Sequence, residues 1–345
     1  MKLLIITQKV DKNDENLGAF YYWFEEFARR FEKVTIITSH LGEENLPSNV
    51  NIFSLGKEFG RGRLGRILVF FFIFSRNYFK SDIVFFHMIP EFVIASAPFL
   101  LFLRRKTALW YVHKSVTWKL KIAEKLVDYI FSASEASFRL PSKKVIFTGQ
   151  AINTNVFSPS LKKERADGAI RFLAVSRISP VKNFDIAIKT FALLKDSWTR
   201  RWSFSIVGGP ILASDYEYMN SLKRLSEKNA LGGFVNFLGP HSFPDIPDII
   251  REHDFFISLS ETGSLDKVVL EAMACGLTVL TSTESYKKVL PERYFLGNQE
   301  PAFIAEKIKS LADEERPNLV LREIVVKNHS LERTMKKIIS ILLKK

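Results

Sequence analysis

Twice along the chain, short runs of β-branched and aromatic residues alternate with longer segments whose apolar residues recur at helical spacing. Parallel strands need a crossover between them, so this alternation predicts parallel sheets covered by helices on both faces. The first series places strands at 3–7, 34–37, 50–52, 83–86, 107–111, 129–132 and 144–147, with helices at 20–31, 64–79, 91–103 and 120–127. The second places strands at 170–174, 203–207, 235–237, 255–258 and 277–280. Its helices fall at 184–194, 216–229, near 246–251, across 268–273, at 301–312 and at 331–343. A polar stretch without periodicity, 159–168, reads as the linker. The expectation is α/β, with domains at 1–160 and 161–327 and a terminal helix in 328–345 that packs back on the first. The 345 residues suffice for two separate cores. No period of 20–50 residues suggests a solenoid.

Composition narrows the chemistry. Apolar residues at 47% and charged residues at 25% describe a folded chain. The single cysteine, Cys275, offers no intrachain disulfide and no metal cluster, in keeping with a reducing cytoplasm. Met1-Lys2 leads directly into a strand-like run, so no cleaved leader is expected. The net charge of +13 asks for an anionic partner: phosphorylated substrate, anionic lipid or nucleic acid. Nucleic acid is the weakest of these, since no zinc spacing, basic heptad region or RNP-like strand is present. Residues 83–103 are apolar enough to suggest a membrane span, but Pro90 and Pro98 interrupt them and 83–86 reads as a buried strand. The first strand-to-helix turn has one glycine, Gly18, and no GxGxxG run, which argues against a dinucleotide oxidoreductase. Neither a Ser-His-Asp order nor clustered His/Cys ligands favour covalent or zinc hydrolysis.

The chemically richest stretch is 258–282. A strand end passes through Glu261-Thr262-Gly263-Ser264 into a helix bearing Glu271, and Gly276 closes that helix. A Gly/Ser turn opening a helix presents unpaired N–H groups and the positive end of the helix dipole, both suited to a phosphate. Arg177 and Lys182 lie in the loop after the first strand of the second series, where either alone could be a solvated surface charge. Gly208, in Val207-Gly208-Gly209-Pro210, would let backbone approach a ligand, though a plain turn explains it equally. His113 and His87 stand at strand ends, where α/β sheets place ligand groups and where structural histidines also occur.

The order Arg177-x4-Lys182, Val207 to Pro210, Phe237-Leu238-Gly239, then Glu271-Ala272-Met273-Ala274-Cys275-Gly276 resembles the donor half of retaining nucleotide-sugar glycosyltransferases with the GT-B fold. These are the large bacterial group one, or family four, type. The resemblance covers most of 170–280 and implies two Rossmann-like doubly wound domains facing across a cleft. It implies a retaining transfer from a nucleotide-diphosphate sugar to a saccharide or polyprenyl-linked acceptor, without cofactor or bound metal. Arg177 and Lys182 would hold the diphosphate, and His113 would be the active-site histidine. Gly18, Gly208, Ser264, Leu265, Asp266, Lys267 and Glu271 would meet the donor. Many relatives carry a second acid eight residues before Glu271; here that place is Gly263, with Glu261 and Asp266 out of register. The loop matches a subset reading Thr-Gly-Ser-Leu-Asp-Lys, here Thr262 to Lys267. Gln150 stands where relatives often have His or Asn. A nucleotide-sugar epimerase and a non-catalytic sugar-nucleotide or anionic-polymer binder remain alternatives.

A last feature is the aromatic run 67–74, flanked by Lys57, Arg61, Arg63, Arg66, Arg76 and Lys80. Such a helix suits the interface of an anionic bilayer. Its phenylalanines could equally face the sheet.

Overall fold

The structure is a computed structural model that describes residues 1–160, 168–261 and 263–344. The chain divides into two compact units, Met1–Ala151 with the segment from Ser330 onward, and Ile152–His329. The linker expected at 159–168 falls largely on 161–167, outside the described residues.

In the first unit β1 (Lys2–Val10), β2 (Lys33–Leu41), β3 (Val50–Ser54), β4 (Ile83–His87), β5 (Lys106–Trp110), β6 (Tyr129–Ser132) and β7 (Val145–Phe147) form one parallel sheet. Their order is β3-β2-β1-β4-β5-β6-β7. β4 is buried along its whole length, as a central strand covered on both faces must be. Helices α1 (Tyr21–Arg30) and α2 (Arg63–Tyr78) follow β1 and β3. The helix expected over 91–103 is two short ones, α3 (Pro90–Ala95) and α4 (Ala97–Phe102). Pro98 cannot donate to the carbonyl four residues back, and the chain turns at Ser96, whose hydroxyl binds the Phe92 carbonyl at 2.8 Å. α5 (Trp118–Leu126) begins at Thr117, whose Oγ1 caps the Leu120 amide at 3.2 Å. Among the described residues no helix is long and apolar enough to cross a membrane.

In the second unit β8 (Ile170–Val175), β9 (Trp202–Val207), β10 (Val235–Gly239), β11 (Phe255–Ser258) and β12 (Thr278–Thr281) pair in parallel in the order β10-β9-β8-β11-β12. Between them run α6 (Phe184–Ser197), α7 (Ala213–Lys228), α8 (Ile246–Arg251) and α9 (Lys267–Ala274). α10 (Pro301–Ser310) and α11 (Leu319–His329) follow. α11 was not anticipated. The final helix, α12 (Leu331–Leu343), belongs to the first unit, where Thr334 Oγ1 donates to the Thr148 carbonyl at 2.9 Å.

Each sheet reverses direction at its first strand. β8 has β9 on one side and β11 on the other, so the loops leaving β8 and β11 diverge from a single point. Open α/β sheets bind ligands at such switch points, beyond the carboxyl ends of the strands.

Candidate active site

The loop after β8 and the loop after β11 meet at that switch point. Pro180–Lys182 make one 3-10 turn, and Asn183 then adopts a left-handed conformation, φ 52°. Its amide offsets the strain: the two hydrogens of Asn183 Nδ2 are shared among the Leu259 carbonyl at 3.1 Å and Glu261 Oε1 and Gln299 Oε1 at 2.9 Å each. The β8 loop is thereby tied to the β11 loop. Lys182, one residue earlier, points its ammonium at Asp266 Oδ2 (3.0 Å) and Ser260 Oγ (3.1 Å). The other Asp266 oxygen accepts from Ser264 Oγ at 3.3 Å, and Tyr286 OH donates to the Asp266 carbonyl at 2.5 Å. Lys182, Ser260, Ser264 and Asp266 thus form one hydrogen-bonded group, bordering a small cavity whose walls include Ala174, Ser176, Phe184 and Ser258. Arg177 lies exposed on the same loop, and no described side chain pairs with its guanidinium.

Gly208 has a reason within the chain itself. Its φ is +124°, and a Cβ there would stand 2.0 Å from the Ser176 carbonyl oxygen. The glycine lets the end of β9 close against the loop that carries Arg177, a contact completed by Ile178 N–H to the Gly209 carbonyl at 2.9 Å. Gly263, at the position where many relatives have an acid, is left-handed too, φ 67°. A glutamate in that conformation would be strained. Thr262 lies outside the described residues.

Lys267 and Glu271 occupy successive turns of α9, at the i,i+4 spacing that brings side chains together. Glu271 is 5% exposed and the Lys267 ammonium is out of solvent. Burial pushes the Glu271 carboxyl above its ordinary range and the Lys267 ammonium below its own, each opposed by the other's charge. The Leu265 side chain is buried, leaving its backbone as the part able to meet a ligand.

The remaining predicted positions lie in the first unit. His113, just beyond β5, is exposed, and its Nδ1 accepts the Ser115 amide at 3.0 Å, which places the proton of the neutral ring on Nε2. Gly18 is buried at the start of a 3-10 turn and donates to the Asp14 carbonyl at 2.9 Å. His87 is buried, 3.1 Å from Thr7 Oγ1 and edge-on to Phe20. Sequence reasoning missed Ser260 and Gln299. Ser260 had only its place after a strand as a signal, and Gln299 had none. Among the described residues no group of three or more His, Cys, Asp or Glu side chains is arranged to hold a metal ion.

Residues 160–329 match the family model of glycosyl transferases group 1. They form a group 1 glycosyltransferase domain. The whole chain has the fold of known GT-B glycosyltransferases. It superposes on Anabaena HepE, solved with UDP and glucose, with a TM-score of 0.78 and 16% identity over 100% of both chains. Sucrose-phosphate synthase of Thermosynechococcus elongatus gives a TM-score of 0.76 at 14% identity, covering 99% of this chain and 98% of that one. At these identities the likeness is one of fold. Among curated sequences, D-inositol 3-phosphate glycosyltransferase of Saccharomonospora viridis is 30% identical over 119 residues, 34% of this chain and 27% of the relative. Its counterpart in Mycobacterium bovis is 31% identical over 108 residues, 31% of this chain and 21% of that protein. The match therefore spans about a quarter of those relatives' length.

Proposed function

We propose that the protein is a retaining glycosyltransferase that moves a hexosyl group from a nucleotide-diphosphate sugar to a saccharide or polyprenyl-linked saccharide. The observation that carries this reading is the Lys182 ammonium, aimed by Asp266 and Ser260 at the switch point of a group 1 domain, with the exposed Arg177 on the same loop. Breaking the sugar–phosphate bond leaves negative charge on the departing diphosphate. Two cations on one loop stabilise that charge without a divalent metal, and the fixed orientation of Lys182 spares the site reorganisation during the reaction. The leaving phosphate oxygen can take the proton of the attacking acceptor hydroxyl. The reading assigns Ser264, Leu265 and Asp266 to the donor through backbone and side-chain groups, and Glu271 to its sugar moieties. In the first unit, the reading assigns Gly18 to the donor and His113 to catalysis.

A uridine nucleotide is the first donor to try, because HepE was solved with UDP-glucose. A lipid-linked acceptor would place the reaction at an anionic membrane surface. Incubation with labelled nucleotide sugars and a panel of saccharide acceptors tests the proposal. Transfer with retained anomeric configuration is expected, in the presence of a chelator. Epimerised nucleotide sugar, or binding without turnover, would overturn it.

A further inference from the structure

The outer face of α2 has a chemistry that the transfer reaction does not use. Phe70, Phe74 and Tyr78 turn inward and are buried against the sheet. Leu64, Leu68 and Phe72, at i, i+4 and i+8, turn outward and are 79%, 72% and 56% exposed. The stripe ends on Arg76, whose guanidinium lies 3.9 Å from the centroid of the Phe72 ring. Arg63 opens the helix, and no acidic residue occurs from Phe59 to Ser81. The face continues beyond the helix. Phe99 of α4 packs edge-on to Phe74 and to Phe79, and the chain then leaves Leu101, Phe102 and Leu103 exposed before Arg104 and Arg105.

We infer that this face docks on an anionic bilayer, with Leu64, Leu68 and Phe72 entering the headgroup–acyl boundary and the arginines remaining at phosphate depth. Leucine and phenylalanine on one side of a helix, with arginines among them and no acids, is the composition of an interfacial helix. Arginine can lay its apolar stem along the surface while its head stays with the phosphates, as Arg76 already does over Phe72. The core of a protein–protein interface is by contrast depleted of charge. α2 is 16 residues long and half of it serves the sheet, so it lies on the membrane and does not cross it. The inference gives a site to the lipid-linked branch of the proposed acceptor class, but its test reads binding and not transfer.

The test is co-sedimentation of the full chain with vesicles of phosphatidylcholine alone and with phosphatidylglycerol added. Binding is expected only on the anionic vesicles, weakening as salt rises. Leu68→Ser with Phe72→Ser should reduce it by at least about tenfold. Replacing Arg63, Arg66 and Arg76 with Glu should reduce it by on the order of a hundredfold. All five side chains lie outside the core, so both variants should keep the parent's unfolding temperature. Arg61 is left alone, because its guanidinium binds the Leu55 carbonyl at 3.1 Å. Three results would overturn the inference: no binding to anionic vesicles, equal binding to both compositions, or undiminished binding by the serine variant. A parent that dimerises through this face, with the serine variant monomeric and neither on vesicles, would also overturn it by assigning the face to a second copy. Nucleotide-sugar binding, read by thermal shift on the same preparations, reports separately on the proposed reaction.

Discussion

At the scale of single residues, the two cations of the loop after β8 are not equivalent. Lys182 is held by two side chains, whereas Arg177 has no side-chain partner among the described residues. Lys182→Ala should lower turnover by on the order of a hundredfold or more while circular dichroism stays native. An unchanged rate would remove Lys182 from the mechanism. Glu271 presents a different case, because its carboxylate shares a buried site with Lys267. Removing one charge of such a pair strands the other, so Glu271→Gln should cost roughly 3 kcal/mol in denaturant titration. Lys267→Met added to that variant should restore most of the loss. If the double variant then binds donor at full affinity by calorimetry, Glu271 serves the fold and not the sugar nucleotide. His329, at the end of α11, is 7% exposed and its Nδ1 has no hydrogen-bond partner. Burial lowers its pKa from 6.5 to about 4. The unfolded chain therefore takes up this proton first as pH falls. The stabilising effect of keeping His329 neutral is complete above about 6.5 and is lost as pH falls through about 4. His329→Leu should flatten the acid limb of the stability curve by roughly 3 kcal/mol, and an unchanged limb would assign the acid loss to other groups.

At the scale of elements, α11 shows most clearly how a helix escapes a sequence reading. Leu321, Val325 and His329 form its buried stripe, but Leu319, Val320 and Val326 are exposed and blur the helical period. Its position depends on contacts distant in sequence. Asn318 Oδ1 accepts the Leu321 amide at 3.1 Å, while its Nδ2 donates to Tyr294 OH at 2.8 Å. Arg322 donates to the carbonyls of Phe157, Ala274 and Thr154. Asn318→Ala removes a cap and one of the two donors to the buried Tyr294 hydroxyl, the other being Arg293 Nη2 at 2.6 Å, so it should lower stability by about 1–2 kcal/mol in denaturant titration. A loss below about half a kcal/mol would mean that the cap is replaced by water. Elements with an undiluted pattern were legible to the residue: Tyr129–Ser132, Phe255–Ser258 and Leu331–Leu343 lie where the sequence placed them. β1 and β2 run further than expected because polar residues continue the ladder, Lys9 opposite His40, where no apolar signal marks a strand.

For the whole molecule, two units with separate cores need not unfold together. A cognate nucleotide sugar binds the group 1 domain in the proposed reading. At a hundred times its Kd it should add about 2.7 kcal/mol to the unit Ile152–His329. Scanning calorimetry should show that transition rising, and a donor that raised only the other transition would contradict the assignment of Ser264 to Glu271. What the sequence determined alone is what short-range order can encode. Alternating strand and helix periods specify two parallel sheets, and an ordered run of loop residues from Arg177 to Gly276 carries the family resemblance. The tertiary structure decided which of those residues meet. Lys182 finds Ser260 and Asp266 across separations of 78 and 84 residues. Gly208 is a glycine because Ser176 approaches it, and the Lys267 ammonium turns away from solvent. On α2 one helical pattern holds phenylalanines of both kinds, and only packing against the sheet separates the buried Phe70 and Phe74 from the exposed Phe72. The physical reason is common to all of these. Periodicity is a property of neighbours along the chain, whereas burial and pairing depend on surfaces contributed by strands and helices far away in sequence.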